Sequence, residues 1–155
     1  VWRDETDLTQ LAQRLHVGPR ELWQAIGGPW MIAARPAEDE QERAGTLFVG
    51  RSGALVGILV ADGVDPAVEV SAVDGMWPGP GALEWVRRGA VRVADGSGDP
   101  ADLLVALAEA VDATFLRERH RLVLCRYCGR VVGPWYAHDE ELCDACAADL
   151  RGVVF

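Results

Sequence analysis

The chain contains no lysine and no asparagine, and all fifteen of its basic residues are arginine. Lysine and asparagine have AT-rich codons, so their absence points to a GC-rich bacterial genome, with Val1 read as a GUG start or a trimmed end. Long apolar runs are lacking as well, since none approaches the ~18 to 20 residues that a membrane span requires. The opening Val1-Trp2-Arg3-Asp4-Glu5 lacks the basic-then-apolar order of a secretion signal. A cytoplasmic protein without a membrane partner is expected. Catalytic signatures are missing too: there is no nucleophile elbow, phosphate-binding glycine loop, H-E-x-x-H pair or dinucleotide fingerprint. The three histidines are scattered and form no spacing that supports a triad. An enzymatic reading therefore has no candidate residue.

What is present describes a folded chain. Half of the 155 residues are hydrophobic and a quarter are charged, the balance of a globular protein with one core or one core plus a small metal-held appendage. The formal net charge is −9, and ionising four thiols around one divalent ion makes the chain more acidic still. Such a surface repels bulk nucleic acid and anionic membranes.

Leu8, Leu11, Ala12 and Leu15 recur at helical spacing between Asp4 and His16, with Asp4 or Thr6 as cap. Gly18-Pro19 breaks that helix and opens a second, with Leu22, Trp23 and Ile26 on one side and Gly27-Gly28-Pro29 as the stop. Strands are expected over 30–34, over 46–50 joined through Ser52-Gly53 to 54–60 as a hairpin, over 68–73 and over 90–94. A charged loop fills 35–43. Pro78-Gly79-Pro80-Gly81 reads as a loop leading to a short helix over 82–88. Asp99-Pro100 starts a long helix, cap and first-turn proline together, with Leu103, Leu104, Leu107, Ala110, Val111 and Leu116 as its apolar face. The expected fold is α+β: a helical pair over 1–29, a small, mainly antiparallel sheet with a long helix over 30–120, and a C-terminal metal ribbon over 121–155.

Cys125-x-x-Cys128-Gly129, fourteen intervening residues, and Cys143-x-x-Cys146 form a two-knuckle layout. Two residues between paired cysteines let both sulfurs reach one ion, and glycine after the second takes the positive φ of the tight turn. Without a secretion signal, two close pairs favour metal over disulfides. Cys125, Cys128, Cys143 and Cys146 are thus read as ligands of one structural Zn2+, which supplies on the order of 10 kcal/mol in small zinc peptides. His138, between the pairs, is read as a loop histidine rather than a ligand. Val153, Val154 and Phe155 are expected to pack back on the ribbon or the long helix.

Arg117, Arg119, Arg121, Arg126 and Arg130 gather near Tyr127. One reading is phosphate binding and base stacking; the favoured one is compensation of a helix C-terminus and of the thiolates, because Asp139, Glu140, Glu141, Asp144 and Asp149 oppose them. The pattern from Leu11 to Ile26 resembles a bacterial helix-turn-helix, but holds only Arg14 and Arg20 as basic residues, so a helical hairpin packed on the core is preferred. Of the six tryptophans, Trp23, Trp30 and Trp85 are read as core or helix packing. Trp77 and Trp135 sit in loops as candidate partner anchors, alongside Arg126, Tyr127 and Arg130.

In order along the chain, Thr46-Leu47-Phe48-Val49-Gly50 with its hairpin, a helix ending Arg119-His120-Arg121, and Cys125-x-x-Cys128-Gly129 resemble the non-catalytic front half of the zinc-ribbon NADH pyrophosphatases of the Nudix superfamily. In that family the hydrolase domain follows the ribbon. The glutamate-rich Nudix box occurs nowhere in this sequence, so the resemblance implies zinc ligands and no catalytic residue. The function expected is that of a non-enzymatic zinc-ribbon adaptor or regulator that binds another protein. Two alternatives stay open: a nucleic-acid-associated transcriptional regulator using the arginine-rich knuckle and the N-terminal helices, and a small-molecule or nucleotide binder with its pocket in the central region.

Overall fold

The computed structural model describes residues 3–33, 45–50, 53–64, 66–79, 82–95 and 98–151. Helix α1 (Arg3–Leu15) turns Leu11, Ala12 and Leu15 inward, as their spacing requires. It already runs through Asp4 and Thr6, so neither is its cap. Helix α2 (Pro19–Ile26) has proline at its start, and Gly27 ends it at φ +68°, donating its N–H to the Trp23 carbonyl. Leu22 and Ile26 are its buried stripe. Trp23 follows Leu22 by one residue, about 100° around the helix, and is 59% exposed rather than packed inside.

Strands β1 (Trp30–Ile32), β2 (Gly45–Gly50), β3 (Val56–Ala61), β4 (Ala67–Gly79) and β5 (Ala82–Asp95) form an antiparallel sheet in chain order. The expected β2–β3 hairpin is present, and its register continues into β4, where Phe48, Ile58 and Val70 make one buried cross-strand row. The charged loop over 35–43 lies outside the described residues.

The segment 82–88 is a correction: it is the first half of β5, not a helix. Its Ala, Leu, Glu and Arg are good helix formers, yet the buried residues are Trp85 and Arg87, two apart, the period of a strand. Pairing with β4, from Gly79↔Ala82 onward, overrides local propensity. Gly89 at φ +64° sits where the β4–β5 register shifts.

Helix α3 (Pro100–Glu118) begins as expected, with Asp99 Oδ1 accepting the Ala101 N–H at 2.8 Å. It lies against β3, β4 and β5, with α2 beside it. Leu107, Val111, Thr114 and Glu118 are buried, whereas Leu116 is 57% exposed because the buried stripe passes through the residues flanking it at helical spacing. One hydrophobic cluster joins Leu11, Leu22, Phe48, Ile58, Trp85, Leu107 and Trp135, so both N-terminal helices, the sheet and the cysteine-bearing end share a core. Among the described residues, no helix is long and apolar enough to cross a membrane.

Candidate metal centre

After α3, a single 3-10 turn (Arg119–Arg121) leads into a two-stranded ribbon, β6 (Val123–Leu124) and β7 (Val131–Val132). The ribbon delivers Cys125 into a knuckle in which Gly129 N–H donates to the Cys125 carbonyl and Cys125 N–H donates to the Arg130 carbonyl, both at 2.9 Å. Gly129 adopts φ +72°, as the tight turn demands. The second pair is placed by different means. A bridge between Ala137 and Cys143 sets the first sulfur, and helix α4 (Asp144–Arg151) carries Cys146 one turn on.

All four sulfurs lie within 4.8 Å of one another, and Cys128 and Cys143 are 3.9 Å apart. Sulfurs around a tetrahedral zinc at ~2.3 Å are separated by ~3.8 Å, while a disulfide needs ~2.05 Å. The arrangement therefore fits an ion and not a bridge. Cys125 and Cys143 are buried against Leu142 and Ala147 in a small cluster of their own, while Cys128 is exposed. His138 is exposed and outside the sulfur group, its backbone N–H donating to the Leu142 carbonyl.

The sulfurs are electrostatically unequal. Backbone N–H groups of Cys128 and then Cys143 aimed at its sulfur bring the Cys125 thiol down to about 6. A hydrogen bond from Arg130 lowers that of Cys128. Cys146 is pushed up to about 12, first by its hydrogen bond with Cys143 and then by burial. Bound cation is what would bring all four to the thiolate form.

The remaining candidate residues are dispersed. Arg126 pairs with Glu141 across the loop at 2.8 Å, with both side chains largely exposed. Tyr127 is 70% exposed. Trp77 is 46% exposed and its Nε1 donates to the Trp135 carbonyl at 2.9 Å. Trp135, expected as an exposed loop anchor, is instead buried in the main core. It meets Trp85 edge to face at 5.4 Å and carries the Arg121 guanidinium over its ring at 5.6 Å. A Cβ on Gly75 would come within 2.7 Å of Trp135 Cγ, so the indole reaches the sheet only because that position is glycine. Its Nε1 is buried without a hydrogen-bond partner.

An ion network that the sequence did not disclose fixes the same joint. Arg121 binds Asp74 at 2.6 Å and Glu118 at 3.4 Å, and Arg88 binds the same two carboxylates at 2.8 and 3.1 Å. Burial acts to raise the pKa of Asp74 and of Glu118, but hydrogen bonds and charge from Arg88 and Arg121 outweigh it and hold both below the usual carboxylate range. The four residues come from β4, β5, α3 and the following turn, so no local pattern marks them.

Of the two arginines in the helix-turn-helix-like segment, Arg14 is tied back to the sheet through Thr46 and Asp62. A cleft of about 820 Å³ near the start of α3 is lined by Leu15, His16, Val68, Arg92, Asp99 and Asp102, among others. Asp99 is spent as the helix cap. No family model, no curated protein and no solved structure matches the chain.

Proposed function

We propose that the four sulfurs hold one structural Zn2+ and that the chain is a non-enzymatic zinc-ribbon protein that docks another protein. A soft four-sulfur tetrahedral set supports zinc and leaves the ion no open position, so its contribution is folding energy. From the Nudix resemblance this reading takes only the four ligands.

One observation carries the docking. Leu124 and Val131 are direct partners across β6 and β7, and they are 58% and 50% exposed, with Tyr127 at the intervening turn. An isolated two-stranded ribbon is marginal in water; the sulfur clamp turns this one into a fixed platform. Apolar side chains presented on a rigid element are what a protein interface uses as anchors. Neutralisation of Arg126 by Glu141 and the net charge of −9 favour a protein over a nucleic acid. The test is native mass spectrometry of the chain captured from its host's lysate. One zinc and a nuclease-resistant protein companion are expected, the companion disappearing and the zinc remaining in a Leu124→Ser/Val131→Ser variant. Bound material that nuclease removes would overturn the reading.

A further inference from the structure

Where the loop between the cysteine pairs meets the far end of the β4–β5 hairpin, a pocket of about 370 Å³ is lined by Trp77, Pro134, Ala137, His138 and Asp144. Trp77 is exposed without being loose. Its only polar atom is committed to the Trp135 carbonyl, which fixes the indole as a wall with its face available. Pro134 and Ala137 extend the apolar lining, and Asp144 brings a carboxylate from the start of α4. The same loop carries Asp139 and Glu140, both exposed.

An indole face and a carboxylate attract the same kind of group, a cation. An apolar lining beside them suits a cation carried on a methylene stem. The chain already contains one such arrangement: Arg121 lies over the Trp135 ring while its guanidinium binds Asp74. The pocket repeats those elements, indole and carboxylate, with His138 beside Asp144 and no arginine among its lining residues.

We propose that this pocket receives an arginine side chain from a basic segment of the docked protein. The proposal rests on the docking reading above and adds the chemistry of the partner. The net charge of −9 acts in the same direction, drawing a basic segment toward the surface before contact.

The test is an NMR titration of the zinc-loaded, 15N-labelled full chain. The probes are a blocked pentapeptide with one arginine among alanines and the same peptide with glutamate in its place. The Trp77 indole N–H and the Asp144 amide are expected to shift with the arginine peptide at millimolar concentration, and to stay still with glutamate. Trp77→Leu and Asp144→Asn should each weaken binding about threefold or more. Should Asp144→Asn disturb the metal end, Trp77→Leu at its exposed site carries the comparison, with Trp77→Phe expected to restore part of the binding. Equal shifts with both peptides, shifts confined to other residues, or variants that bind as the parent does would each overturn the pocket assignment. Such a failure leaves the captured companion as the separate measure of docking. A companion lost to nuclease, in turn, sinks the docking reading whatever the titration shows.

Discussion

The sheet-and-helix body and the metal end are stable for different reasons. In the body, Phe48, Ile58, Val70, Leu107 and Trp85 are removed from water by one another, and burial of that kind is cooperative and needs nothing from outside. Among the described residues, the buried cluster of the metal end is Cys125, Leu142, Cys143 and Ala147, too little apolar surface to hold a fold. Its shape comes from four converging sulfurs. Yet the two are not independent, because Trp135 belongs to the loop of one and the core of the other.

The strongest way to break this pairing is to remove the ion proposed above. Chelation, or Cys143→Ser, is expected to abolish amide protection across 122–151 in hydrogen exchange, while β2 and β3 stay protected. Tryptophan emission should shift to the red as Trp135 leaves Trp85. A sheet that loses protection at the same chelator concentration would show that the body has no stability of its own.

A weaker cut goes through the joint. Trp135→Ala should cost about 3 to 5 kcal/mol in denaturant unfolding, the range for deleting a large buried aromatic, with the proposed ion retained. Trp135→Phe is expected to recover much of this, since the lost Nε1 is a buried donor that has no partner. Loss of metal binding in the alanine variant would mean that the sulfur site depends on the core.

The smallest expected effect concerns Asp74 and Glu118. Both have folded-state pKa values below the ordinary one, so their stabilisation is fully present above the unfolded value of about 4 and is lost as pH falls through the folded value. Glu118→Gln should cost about 1 to 3 kcal/mol at pH 7, short of a fully buried pair because Arg88 is half-exposed. It should also flatten the acid limb of the stability curve below about pH 4. An acid limb unchanged from the parent's would remove Glu118 from the network.

What the sequence disclosed follows the same division. The sulfur site was legible because ligand geometry is written in short spacings, and the start of α3 because Asp99 and Pro100 act within one turn. The β2–β3 hairpin was legible because its two strands are neighbours with turn residues between them. The first half of β5 was not, since its strand state is imposed by β4 against the preference of its own residues. The burial of Trp135 was not legible either. Gly75, Trp85 and Arg121, which make its site, come from three other elements, and nothing around Gly133-Pro134 announces them.

The strand order of the sheet, each strand hydrogen-bonded to the next along the chain, bears on kinetics rather than stability. Neighbouring strands close short loops, so the sheet can be laid down one hairpin at a time with little loop entropy lost per step. The longer-range events include α1 docking on β1, α2 reaching α3, α3 covering β3 and β4, and the Trp135 loop reaching Trp85. Those dockings close longer stretches of chain than the strand pairing does, so they are expected to carry the larger share of the loop-closure cost.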